Sequence, residues 1–145
     1  MFRPLGPPSA WFVNPGSPPS LAVGSGYIDM IASTSIDCVL FVESLSKIES
    51  VIVGMRSFSG TSTLGLYKSN APPTVVDAYS VNPITLSGGG TTINVTADGN
   101  HDLRTLTLQT PTALSIGQFL VLRAVTPGGV TARLSNYLVR HTAVA

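Results

Sequence analysis

Three oxygen-bearing side chains at alternate positions form the clearest candidate site for chemistry in this sequence. Asp98, Asn100 and Asp102 are spaced as in the first half of a calcium-binding loop, and their oxygens could surround one cation. The glycine follows the first aspartate instead of occupying the sixth loop position, and the twelfth position is not a glutamate. Because Asp-Gly-Asn also favours a tight turn, we expect a hairpin tip here and keep calcium as the weaker alternative.

The other reactive side chains do not form a recognisable catalytic set. The seven acidic residues lie in no catalytic motif, and no Gly-x-Ser-x-Gly nucleophile elbow occurs. Cys38 lies within an apolar segment, where a thiol behaves as a small hydrophobic group. His101 and His141 lack the spacing of metal ligands. We therefore predict a protein that is not an enzyme and that needs no cofactor.

The composition excludes several other classes of function. Charged residues make up 10% of the chain and the net charge is +1, so the sequence has no basic field to hold nucleic acid or an anionic membrane. The longest unbroken apolar run, residues 38–42, is far too short to span a bilayer. The mean hydropathy of +0.35 is high for a free monomer, which predicts that part of the surface is hidden in an assembly.

The first 26 residues differ from the rest of the chain. Six prolines make a helix or a central strand improbable between residues 1 and 26, so we predict an extended Pro-rich N-terminal arm. A plain linker would lack the large apolar side chains found here, which should anchor the arm on its own domain or on a neighbouring subunit. The candidate interaction residues are Phe2, Arg3, Leu5, Trp11, Phe12 and Val13.

Residues 27–145 follow a β pattern and are predicted to form one domain. Leu106 and Leu108 alternate with Thr105 and Thr107, as in a strand with one buried face. Short apolar segments recur with turn signals between them, at the spacing of sandwiches and barrels. We predict an all-β fold, a single β-sandwich of jelly-roll type with about nine strands, and place an immunoglobulin-like sandwich second. The segments are 27–32, 36–43, 48–55, 63–68, 74–79, 91–96, 103–109, 118–125, 130–134 and 137–141, with a short edge piece at 84–86.

The polar residues are mostly hydroxyl-bearing, with 17 Ser and 15 Thr. Strand faces of this kind can stack against another protein without removing water from ions. They would also suit weak contact with carbohydrate, for which the possible stacking residues are Tyr27, Tyr67, Tyr79 and Tyr137. For each tyrosine we favour the simpler interpretation, a half-buried sheet residue with a hydrated hydroxyl.

The central region resembles the β-sandwich modules of tailed-bacteriophage virion proteins. Residues 48–53 read IESVIV, residues 64–68 read LGLYK, and residues 114–122 read LSIGQFLVL. This order is similar to that of the small jelly-roll domains of capsid decoration proteins, head fibres and tail fibres. The resemblance covers about residues 48–125 and implies a non-enzymatic structural role, commonly as a homotrimer.

From this resemblance, together with the apolar arm and the scarcity of charge, we predict a capsid cement or decoration protein. It would bind the major capsid protein on the virion surface, after assembly in the host cytoplasm, and stabilise the shell by bridging subunits through buried apolar area. The alternatives are a receptor-binding, carbohydrate-binding module of a tail or head fibre, and a tail or neck adaptor subunit.

Overall fold

The computed structural model describes residues 3–4, 11–13, 21–24, 27–31, 34–40, 42, 46–70, 81–97 and 102–143. These residues form strands, turns and irregular connections and include no helix, hence none of a length and apolarity suited to crossing a bilayer. The all-β class predicted from the sequence is confirmed. The strands are β1 (Arg3–Pro4), β2 (Trp11–Val13), β3 (Leu21–Gly24), β4 (Tyr27–Ile31), β5 (Thr34–Leu40), β6 (Ser46–Ser57), β7 (Thr61–Ser69), β8 (Val81–Pro83), β9 (Thr92–Thr96), β10 (Asp102–Ala113), β11 (Phe119–Thr126) and β12 (Thr131–Ala143).

The strands form two antiparallel sheets, which confirms the predicted β-sandwich. Sheet I has the order β10-β6-β12-β4-β3, and β1 pairs with β12 beyond the end of β4. Sheet II has the order β2-β5-β11-β7, and β8 and β9 pair with different parts of β7. The chain crosses repeatedly between the sheets, as in jelly-roll sandwiches.

The inner faces of the two sheets form one hydrophobic core. Leu106 and Leu108 on β10 are buried while Thr105 and Thr107 are exposed, as the alternation predicts. Removing each such leucine from water contributes about 1.5–3 kcal/mol. The largest fully buried side chains are Met30, Ile36, Ile48, Met55, Leu64, Leu66, Leu106, Leu120, Leu122, Leu134, Val51 and Val53.

Two sequence predictions of strand arrangement differ from the structure, and a third is not tested. The segments 130–134 and 137–141 form one strand, β12, whose pairing with β6 shifts register between Leu134 and Tyr137. A β-bulge of this kind restores the inward direction of the apolar residues without a turn. The predicted hairpin at 98–102 is also wrong, because β9 belongs to sheet II and β10 to sheet I. The predicted strand at 74–79 lies outside the described residues.

The predicted edge piece at 84–86 connects the two sheets instead of extending one. The N–H of Ile84 donates to Leu66 O on β7, whereas Leu86 forms an isolated bridge with Leu108 on β10. The N–H of Ser87 donates to Thr107 O at 2.8 Å. This segment therefore covers part of the outer edge of β10, which would otherwise present unpaired backbone groups.

Candidate functional site

The candidate calcium ligands are only partly described. Asp98 and Asn100 lie outside the described residues, and Asp102 is an exposed residue at the start of β10, opposite Met55. Within the described ranges, no three side chains of His, Cys, Asp or Glu come together in a group that could hold a metal ion. The calcium alternative therefore gains no support from the described residues.

Of the six N-terminal candidate residues, the structure describes the backbone of four. Arg3 on β1 lies opposite Tyr137 of β12. Trp11, Phe12 and Val13 form β2, which pairs with β5 of the same chain. Phe2 and Leu5 lie outside the described residues. The division into an arm (1–26) and a domain (27–145), and the role of the arm in docking, stay predictions.

Cys38 has the environment of a structural thiol. The side chain is 1% exposed and belongs to the hydrophobic core. Burial, followed by the neighbouring charge of Asp37, raises the pKa of Cys38 to about 12. Because the thiolate is the nucleophilic form, this side chain does not act as a nucleophile at neutral pH.

The tyrosines predicted as possible stacking residues for a sugar differ in their burial. Tyr137 is 6% exposed and packs in the core. Tyr27 and Tyr67 are half-buried, and each ring lies against the guanidinium of an arginine. Tyr79 lies outside the described residues. Because Tyr137 is buried and Tyr27 and Tyr67 are half-buried, none of the three described tyrosines is a freely exposed stacking platform.

An arginine, an aspartate and a tyrosine form a cluster around a buried carboxylate on the outer face of sheet II. Arg123 of β11 lies opposite Asp37 of β5 and binds it through Nε at 2.7 Å and Nη2 at 2.8 Å. The guanidinium carbon lies 4.7 Å from the centre of the Tyr67 ring. The hydrogen bonds with Asp37 raise the pKa of Arg123 above its ordinary value. Since Asp37 is fully buried, this cluster is structural.

The same three residue types meet on the outer face of sheet I, where they remain accessible. Arg133 of β12 binds Asp29 of β4 through Nε at 2.7 Å and Nη2 at 3.0 Å. The guanidinium carbon lies 3.9 Å from the centre of the Tyr27 ring. The side chains of Arg133 and Asp29 are 34% and 19% exposed. This cluster, unlike its counterpart on sheet II, is open to a ligand.

Two further residues extend the cluster on sheet I. Phe58 follows β6 and is 41% exposed, with its ring centre 4.7 Å from the guanidinium carbon of Arg56 and 5.3 Å from that of Arg133. Arg56 lies directly opposite Arg133 in the pairing of β6 with β12. We call this set the arginine–aromatic surface; its members are Tyr27, Asp29, Arg56, Phe58 and Arg133.

The turn that carries Phe58 is held by several hydrogen bonds. The N–H of Phe58 donates to Thr131 O at 2.8 Å, which continues the pairing with β12 past the end of β6. The buried Ser57 hydroxyl donates to Ser59 O at 3.0 Å. The Ser59 hydroxyl donates to Gly129 O at 3.1 Å. Phe58 is therefore presented from a fixed backbone, although it lies outside the regular strand.

Gly60 allows this turn to close. Its φ is +60°, a conformation that residues with a side chain adopt at a cost. A Cβ at this position would lie 2.7 Å from Cγ2 of Val130. The Gly60 carbonyl also accepts the N–H of Ala97 at 2.9 Å, which links the turn to the end of β9.

The arginine–aromatic surface carries an excess positive charge. Both oxygens of Asp29 accept from Arg133, so this carboxylate neutralises only one of the two guanidinium groups. Among the described residues Arg56 has no ion pair, and its Nε is buried without a hydrogen-bond partner. The surface thus combines an exposed aromatic ring with one uncompensated cation.

A small cleft lies elsewhere, where the segment after β8 meets the irregular part of β10. It has a volume of about 260 Å³, and its lining includes Lys68, Ile84, Gln109 and Thr112. The volume lies below the range of about 300–1,000 Å³ typical of small-molecule sites, and no aromatic ring lines it. The arginine–aromatic surface is therefore the stronger candidate.

Comparison with known proteins adds information on the fold. No family model matches this sequence, and no curated protein matches it significantly. The CBM22-1 xylan-binding domain of Xyn10C from Paenibacillus barcinonensis superposes with a TM-score of 0.54 and 12% identity, over 100% of this chain and 95% of that domain. The module TmCBM61, solved with beta-1,4-galactotriose, superposes with a TM-score of 0.47 and 8% identity, over 80% of this chain and 70% of that one.

Proposed function

We propose that this chain is a non-catalytic carbohydrate-binding module that binds its ligand at the arginine–aromatic surface. The observation that carries the proposal is the placement of Phe58, an aromatic ring that is 41% exposed and held beside two guanidinium groups. An aromatic ring offers apolar area to the C–H groups of a sugar, and neighbouring N–H donors bind its hydroxyl groups.

The fold is compatible with this proposal. The neighbour with a TM-score of 0.54 is by name a xylan-binding domain, and the superposition covers all of this chain. Because one fold hosts many functions, the argument rests on the surface and takes the fold as compatible with it.

The two arginine-bound carboxylates, Asp29 and Asp37, are not arranged for hydrolysis. Asp29 and Asp37 each accept two hydrogen bonds from an arginine, and they lie on the outer faces of different sheets. Glycoside hydrolysis uses two carboxyl groups about 5–10 Å apart on either side of one bond. These two carboxylates are placed where they cannot share a substrate.

Electrophoresis of the full chain through gels that contain different polysaccharides tests the proposal. We expect at least one polysaccharide to retard the protein, and Phe58→Ala to weaken that binding about tenfold or more. The matched control is Leu103→Ala, which removes another exposed apolar side chain, 57% exposed, from sheet I. Absence of binding to any polysaccharide, or equal binding by Phe58→Ala and the unaltered chain, would contradict the proposal.

The virion setting is a separate prediction, and so are the capsid cement role, the capsid partner and the homotrimer. A carbohydrate-binding module is compatible with one of the predicted settings, the receptor-binding part of a tail or head fibre. Binding of a host-surface polysaccharide in the gel experiment would favour that setting over a capsid cement.

A further inference from the structure

The pairing of Arg56 with Arg133 has a consequence for the chemistry of the ligand. The two residues lie directly opposite each other on neighbouring antiparallel strands, where Cβ atoms are about 4.5–5.5 Å apart. Like charges at such positions repel each other. Asp29 continues the same row on β4 and holds Arg133 through two hydrogen bonds. Among the described residues, this row therefore contains two cations and one anion across three strands, and one positive charge is in excess.

Arg56 is the cation of this row for which the described residues provide no carboxylate partner. Its guanidinium carbon is held 4.7 Å from the ring centre of Phe58, while the corresponding carbon of Arg133 lies 5.3 Å from the same point. Arg56 keeps part of its side chain exposed, and in the described part of the chain it has no carboxylate partner. Guanidinium binds carboxylate through paired, charge-assisted hydrogen bonds, which are stronger than those to neutral hydroxyl groups.

Two adjacent arginines are unusual in a chain that contains few charged residues. Only 10% of the residues are charged, and hydroxyl side chains dominate the polar surface. A site for a neutral sugar could be built from those hydroxyl groups and would not need two adjacent arginines. The ring of Phe58 and the charge of Arg56 together match a sugar that has both C–H groups and a carboxylate.

We infer that the ligand of the arginine–aromatic surface is an acidic carbohydrate, whose carboxylate, as in a uronic acid unit, binds Arg56 while its ring contacts Phe58. This inference rests on the proposed function and specifies the class of carbohydrate.

Titration calorimetry with matched ligands tests it. The probes are oligogalacturonates and oligomannuronates, and the same oligosaccharides after chemical reduction of their carboxyl groups to neutral hexoses. We expect the full chain to bind one of the acidic probes at least tenfold more tightly than its reduced counterpart. Added salt should weaken this binding, because a charge pair at a surface is screened.

Two variants locate the interaction. Arg56→Met keeps an apolar side chain beside Phe58 but removes the charge, and we expect it to lose about tenfold or more in affinity for the acidic probe. Arg140→Met is the control, since Arg140 is an exposed arginine on the same strand as Arg133, about 23 Å away along an extended chain. It should bind as the unaltered chain does. Melting temperatures confirm that both variants are folded.

The outcomes separate this inference from the proposed function. Equal binding of acidic and reduced probes would overturn the acidic ligand and leave the carbohydrate-binding module intact. Tight binding of the acidic probe that Arg56→Met does not weaken would overturn the assignment to Arg56. No binding of these probes, together with no retardation by any polysaccharide in the gel experiment, would overturn both.

Discussion

The two arginine–aspartate pairs differ in exposure, and this difference leaves the pair on sheet I available for the proposed binding role. Arg123 pairs with Asp37 across neighbouring strands of sheet II, as Arg133 pairs with Asp29 across neighbouring strands of sheet I, and a tyrosine ring lies against each guanidinium. Asp37 is fully buried, whereas the side chain of Asp29 is 19% exposed. A buried pair is costly to break because the remaining charge stays out of water, whereas a pair near the surface is solvated again.

Replacing each aspartate by asparagine tests this difference. Asp37→Asn removes the buried carboxylate charge that faces Arg123 and weakens two charge-assisted hydrogen bonds, and we expect it to lower the free energy of unfolding by about 2–3 kcal/mol. Asp29→Asn is the matched control and should cost less than Asp37→Asn, because its pair with Arg133 lies near the surface. Urea unfolding of the two variants measures both values. Equal costs would mean that the two pairs do not differ in role.

At the scale of the elements, the turn between β6 and β7 determines where Phe58 lies. Ser57 and Ser59 hold the turn by hydrogen bonds, and the positive φ of Gly60 closes it against Val130. Any change that opens this turn should move the aromatic ring away from the two arginines. We therefore expect stability and the proposed ligand binding to depend together on Gly60.

The variant Gly60→Ala tests whether stability and ligand binding change together. The left-handed φ costs a residue with a side chain about 1–2 kcal/mol, and the close approach of the new Cβ to Val130 adds to that cost. We expect urea unfolding to show a free energy of unfolding that is lower by about 2–4 kcal/mol. We also expect weaker binding to polysaccharide. In the control Gly90→Ala, the nearest atom to the new Cβ is Thr92 O at 3.7 Å, so both properties should change little. Unaltered stability of Gly60→Ala would contradict the assigned role of the glycine.

Most strands could be predicted from the sequence, but their distribution between the sheets could not. The alternation around Leu106 follows from the burial of one face of β10, and that pattern is local. A turn signal reports only that the chain reverses, so residues 98–102 suggested a hairpin where the chain passes from one sheet to the other. The bulge in β12 also escaped prediction, because it depends on the register with β6.

The arginine–aromatic surface escaped prediction for a related reason. Arg133 and Asp29 are separated by 104 residues and meet only through the pairing of β12 with β4. The tyrosines were the natural candidates for stacking, yet Tyr137 packs in the core. The available signal was Phe58 itself, a large aromatic residue within Ser57-Phe58-Ser59-Gly60, where a turn would normally be polar.

At the scale of the whole molecule, the N-terminal segment contributes strands to both sheets. β1 pairs with β12 in sheet I, and β2 pairs with β5 in sheet II, where it forms the edge. Among the described strands, loss of β2 would leave β5 as the edge of sheet II, with the backbone of Ile36, Asp37 and Cys38 unpaired on that side. Exposed edges of this kind pair with other chains and promote association.

Deletion of residues 1–20 should therefore leave a folded but less stable protein that self-associates. Each backbone hydrogen bond contributes about 0.5–1.5 kcal/mol net, so the loss of β1 and β2 should lower the melting temperature on the order of 5–10 °C. Light scattering should give a larger molar mass for the shortened chain than for the full chain. Adding a synthetic peptide of residues 1–20 should reverse both changes, and a scrambled peptide should not. If the shortened chain kept its melting temperature and mass, these strands would be dispensable for the fold, and the segment would be free to serve a docking role on a partner.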